Sequence, residues 1–253
     1  MGIFKAGNPV ISEKTFENAI PQATGEVMTV RGTMNKFGLM FLMVVGAATY
    51  TWSMFYREGA ESVTPWMWGS AIIGMILALI ITFKKTWAPH LALGYALCEG
   101  LFLGAISAFF DYAFAESYPS IIMHAVMLTL GTAGVMYALY HFRILRATNT
   151  FKKVVIGATA AIFVVYMISM VMRLFGAEMP FLHENGLIGI GISLVIVVVA
   201  ALNLILDFDM IENGAALGAP KYFEWYSAFG LMVTIIWLYL EMLRLLSKLS
   251  SRD

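Results

Sequence analysis

The chain has 253 residues, of which 60% are hydrophobic and 13% charged, with a mean hydropathy of +0.79. Soluble domains average about 45–50% apolar and about 25% charged, so this composition excludes a soluble globular protein and makes the lipid bilayer its first partner. The 16 basic and 16 acidic residues balance, which gives no footing for a nucleic-acid partner, and the single cysteine, Cys98, excludes an intrachain disulfide.

The first 36 residues are polar, with Lys5, Glu13, Lys14, Glu17, Glu26, Arg31 and Lys36. They lack the early apolar core of a cleaved signal and read as a cytoplasmic tail. Residues 37–253 read as a single transmembrane domain. A bilayer core about 30 Å thick takes roughly 20 apolar residues per helix, and the need to satisfy every backbone polar group restricts spans to helices or closed barrels. Long apolar runs without alternation select helices. Spans are expected over 37–56, 66–83, 90–114, 121–142, 153–175, 187 to about 212, and about 227–246, an all-α polytopic membrane protein with a seven-transmembrane-helix bundle. Breakers mark the joins: Pro65, Pro89, Pro119, Pro180 with Asn185 and Gly186, then Gly218 and Pro220.

Basic residues of the short connections set the orientation. Lys5, Lys14, Arg31 and Lys36 lie in the tail, Lys84 and Lys85 in the second connection, and Arg143, Arg146, Lys152 and Lys153 in the fourth. The first, third and fifth connections offer only Arg57. The N-terminus is therefore expected inside. Seven spans then leave Arg244, Lys248 and Arg252 on the wrong side, a conflict that a re-entrant final segment would remove.

Ionisable groups within the spans need a reason, because a charge near the bilayer centre costs at least about 2.5 to 3.5 kcal/mol on insertion scales. Glu99, Asp111, His124, Asp207, Asp209 and Glu241 fall inside the predicted spans. Asp111, His141 and Arg173 lie near span ends and read as interfacial, and His124 as a hydrogen-bonded helix contact. Asp209 and Glu212 are equally consistent with the point where helix six reaches water. Gly100 and Gly104 have the spacing of a close helix contact, and the 18 methionines read as adaptable packing.

Asp207 and Glu241 lie on antiparallel neighbours. With helix six ending near Gly214, a 1.5 Å rise places Asp207 about 10 Å from that end. Glu241 reaches a comparable depth only if the segment PKYFEWYSA lies along the membrane interface and the last span starts near 227–230. Two carboxyls brought together in low dielectric share a proton and form a pH switch; deprotonated, they suit a hard divalent cation such as calcium. The alternative is an ordinary ion pair of Glu241 with Arg244, three residues on.

The LDFDMIE and WLYLEMLRLL segments, the ALCEGLFLG stretch, and NPV and MTVRGTMNK ahead of the first span together resemble the Bax inhibitor-1 family, in its bacterial branch related to YccA. The resemblance implies seven-helix proteins of the bacterial inner membrane, several conducting a pH-sensitive calcium leak. It also implies a carboxylate pair between the last two helices as sensor and latch. Carried over by motif, Asp207 matches the acid of helix six and Glu241 the aspartate usual in helix seven. Glu replaces Asp at 241, and the connection between the two acids is longer than in compact bacterial members. On this reading Asp207 and Glu241 form a cation site and pH sensor, Asp209 is a vestibule acid, and Glu99 a pore-facing partner. Calcium and protons are the cargo, with no bound cofactor.

Other classes compete. A proton-coupled transporter, or a non-conducting regulator with a membrane-protein partner, would keep the acids for coupling or folding. An intramembrane aspartyl protease would want a glycine-x-glycine-aspartate pattern, and a rhomboid-like protease a glycine-x-serine-glycine; neither occurs. A retinal protein would need a lysine deep in the last span, whereas Lys248 lies at its end. The expectation is a protein that is not an enzyme.

Overall fold

A computed structural model describes residues 25–176 and 186–251. Seven helices in it are long and apolar enough to cross a membrane: α1 Val30–Glu58, α2 Ala60–Phe83, α3 Ala88–Ala113, α4 Ile121–His141, α5 Asn149–Leu174, α6 Leu187–Ala216 and α7 Phe223–Ser250. A 3-10 turn, Lys85–Trp87, joins α2 to α3. The expected seven-helix all-α membrane fold is the one found. Pro180 and Asn185 lie outside the described residues, as do residues 1–24 of the expected tail.

Capping explains where the boundaries differ from expectation. Thr29 caps α1, its hydroxyl accepting from the Gly32 amide at 2.9 Å, so the helix starts seven residues before the apolar run does. Gly59, at φ 90, ends α1 and opens α2 directly. Pro65 therefore sits inside α2 instead of breaking the chain, close enough to the helix start that the cost is one hydrogen bond. Pro89 lies in the first turn of α3, where its missing N–H has no intrahelical partner to lose. The last helix is continuous from Phe223 to Ser250, so no break interrupts it and FEWYSA forms its first turns instead of a separate segment.

Contacts divide the chain into two units. Over the described residues, unit 1 contains 114–209 and 234–251, less the undescribed 177–185, and unit 2 contains 25–113 and 210–233. In unit 2, α3 packs against α1 closely enough to need glycine. A Cβ on Gly100 would stand 2.5 Å from the Val44 carbonyl oxygen, and one on Gly104 2.1 Å from that of Ala48. The Thr51 hydroxyl donates to the Leu101 carbonyl across the same contact at 3.0 Å. The two glycines thus serve an intramolecular helix contact.

Unit 2 also holds a short strap. Val27 bridges Pro220 in antiparallel fashion, the Met28 amide donates to the Ala219 carbonyl at 2.7 Å, and the Lys221 amide donates to that of Glu26 at 3.1 Å. Beneath it the Glu224 side chain is fully buried at the start of α1. The Thr29 amide and hydroxyl each donate to its Oε1 at 2.9 Å, and Lys36 pairs with its Oε2. Lys221 stands 3.3 Å away, and this carboxylate raises the lysine pKa above its ordinary value.

Candidate functional site

The acids singled out by sequence fall into different surroundings. In unit 1, Asp207 on α6 is 0% exposed and Glu241 on α7 is 1% exposed. Glu241 is held by three donated bonds: Tyr166 of α5 gives its hydroxyl to Oε1 at 2.8 Å, and Arg244 Nη1 reaches Oε1 at 2.8 Å and Oε2 at 2.9 Å. Arg244 also donates to the Tyr166 hydroxyl and lies 5.1 Å from its ring centroid. The ordinary ion pair weighed as an alternative is therefore present. Asp209 is salt-bridged to Lys152 of α5 at 2.8 Å.

Three contacts set the helix registers within unit 1. Asn203 Nδ2 donates to the Thr159 hydroxyl at 2.8 Å, and with Lys152–Asp209 this makes α5 and α6 antiparallel, with residue numbers at one level summing to about 362. Lys248 Nζ donates to the Gly189 carbonyl at 3.0 Å and the Ser193 hydroxyl at 2.9 Å, fixing the end of α7 beside the start of α6. Counting seven residues back from Lys248, Glu241 is level with residue 198 of α6, nine residues from Asp207; through Tyr166 it is level with residue 196, eleven away. At 1.5 Å per residue the two acids are offset by roughly 13 to 17 Å along the helix axes. The expected direct sharing of a proton between Asp207 and Glu241 is not the arrangement in this structure. Its physical reason is the early start of α7, whose first turn buries Glu224.

What unit 1 does bring together is a file of buried and half-buried polar groups. Along α6 it runs from Lys248 at Gly189 and Ser193, through the Tyr166, Glu241 and Arg244 cluster, to Asn203 with Thr159, then Asp207, then Asp209 with Lys152. From residue 189 to 209 it covers roughly 30 Å at the helical rise, about the thickness of a bilayer core. Arg244 and Lys248, which offended the basic-residue rule as C-terminal charges, are engaged inside this file. The composition of α7 carried a signal for it: 241, 244 and 248 share one helical face. Tyr166 and Thr159 carried none, because a hydroxyl in an apolar run does not announce its partner.

Glu99 belongs to unit 2. It is half-buried, bonded by Tyr95, and its Oε1 stands 3.2 Å from where a Cβ on Gly74 would be. Tyr95 in turn meets Phe229 edge-on at 4.7 Å. Asp111 accepts from the Tyr56 hydroxyl at 2.5 Å, and His124 Nδ1 contacts the Ser120 carbonyl at 3.0 Å. Among the described residues no three His, Cys, Asp or Glu side chains converge as a metal centre.

A family model described as Bax inhibitor 1 like matches residues 8–251. The chain belongs to the Bax inhibitor 1 like family. Neither a curated protein nor a solved structure matches it. Membership covers nearly the whole chain, including the three helices that carry the file, and so agrees with the resemblance seen in LDFDMIE and WLYLEMLRLL.

Proposed function

We propose that this family member is a pH-sensitive leak for cations, calcium among them, in a bacterial inner membrane with its N-terminus cytoplasmic. Asp207 and Glu241 act as two stations for the cation and the proton, with Asp209 at the vestibule and Glu99 as a further pore-facing acid. The supporting observation is the membrane-deep file in unit 1, since buried ionisable groups at successive levels are what an ion or proton path requires and are costly otherwise. Protons compete with the cation for both acids, so flux falls on acidification as the acids take up protons. In this reading the guanidinium of Arg244 occupies the Glu241 oxygens whenever the cation does not.

Calcium entry into proteoliposomes, followed across about pH 6 to 8 where a buried carboxyl can titrate, tests this. Native protein is expected to show a pH-dependent flux that Asp207→Asn and Glu241→Gln each change. Unchanged flux and an unchanged pH response in both variants would refute it. A second reading, a proton-coupled transporter or non-conducting regulator of another membrane protein, is favoured by the ion pair that Glu241 makes with Arg244. It predicts no calcium flux in the native protein, with substrate uptake or partner co-purification lost in the same variants.

A further inference from the structure

Between α5 and α6 of unit 1 lies an apolar cleft of about 460 Å³, walled by Ala161, Val165 and Tyr166 on one side and Ile188, Gly191 and Val195 on the other. Val165, Ile188 and Val195 are exposed, so the cleft opens sideways from the helix pair. A Cβ added to Gly191 would meet nothing within 4 Å, so the space over this glycine is open.

Its depth follows from the α5–α6 register. Ala161 is level with residue 201 of α6, so the cleft runs from residue 188 to about 201, roughly 20 Å at 1.5 Å per residue. It begins where α6 starts and is somewhat longer than one leaflet, about 15 Å, of a core about 30 Å thick. An apolar cavity at this depth does not hold water, which needs polar partners. Left empty, its walls forfeit dispersion contacts.

We propose that this cleft is a binding site for a single acyl chain of a phospholipid from the leaflet in which α6 begins, inserted between α5 and α6. The chain lies against Tyr166, whose hydroxyl holds Glu241 on the far side of the wall. Binding does not depend on whether the protein conducts.

Full-length protein reconstituted in bilayers containing a phospholipid with a diazirine in one acyl chain, irradiated and mapped by peptide mass spectrometry, provides the test. Adducts are expected to concentrate on Ala161, Val165, Gly191 and Val195, several-fold above those on Leu42, an equally apolar and more exposed position on α1. Gly191→Phe should obstruct the cleft and bring its adducts down to the Leu42 level while those on Leu42 stay the same. Ala161→Phe, from the opposite wall, repeats the test should the first variant fold poorly. Equal adduct density in the cleft and at Leu42, or cleft adducts that persist in a folded obstructed variant, would overturn the proposal.

Discussion

Replacing Arg244 by Gln tests the physical reading of the Glu241 cluster. The two ends of the ion pair differ in exposure, the Arg244 side chain at 38% and that of Glu241 at 2%. Removing the guanidinium strands a buried carboxylate that has lost bonds at 2.8 and 2.9 Å. Breaking a buried pair costs 3–5 kcal/mol, but the exposed arginine is already partly screened, so a loss of about 3 kcal/mol is expected. Removing the carboxylate instead, by Glu241→Gln, leaves a partly exposed arginine that keeps its bond to the Tyr166 hydroxyl, at about 1 kcal/mol. Because the stranded charge dominates, the double variant should cost about 2 kcal/mol less than the sum of the single ones. Equilibrium unfolding in mixed detergent and SDS micelles gives all three numbers. A Glu241→Gln loss equal to or larger than that of Arg244→Gln, or strict additivity, would refute the reasoning.

Tyr166→Phe removes two interhelical hydrogen bonds, one given to Glu241 and one accepted from Arg244, and at an average of about 0.6 kcal/mol per such bond in membranes should cost about 1 kcal/mol in the same assay. Gly104→Ala would force a Cβ to 2.1 Å from the Ala48 carbonyl oxygen, whereas one on Gly46 meets nothing within 4 Å. The first should lower the melting temperature through overpacking of about 1–3 kcal/mol and the second should not; equal effects would contradict the α1–α3 contact. Gly32→Ala would place a Cβ 2.1 Å from Glu224 Oε1. Expelling that carboxylate should free the strap, seen as faster hydrogen exchange at the Met28 and Lys221 amides, and unchanged protection there would argue that Glu224 does not hold it.

Seven apolar runs suffice to read the fold, because a bilayer leaves the backbone no other solution. The burial of Asp207 and Glu241 was legible for the same reason: an acid inside such a run has to go inward. Their separation was not. On composition, PKYFEWYSA reads as interfacial, with a glutamate among aromatics and a lysine. In the structure Glu224 turns inward because Thr29 and Lys36, nearly two hundred residues away in sequence, supply its partners. That long-range rescue lets α7 start at Phe223, and the early start carries Glu241 past the level of Asp207. Thr29 caps α1 well before the apolar run begins, so hydrophobicity alone places the first span too late.

The central claim, that cations cross the membrane past Asp207, is tested most directly by cadmium block. In a Cys98→Ser background that still carries calcium flux, Asp207→Cys puts a soft thiolate ligand at this level of the file. The account predicts that cadmium added to the water stops calcium entry in this variant, that a chelator restores it, and that the background protein is unaffected. Full calcium entry through the Asp207→Cys variant, undiminished by cadmium, would contradict it.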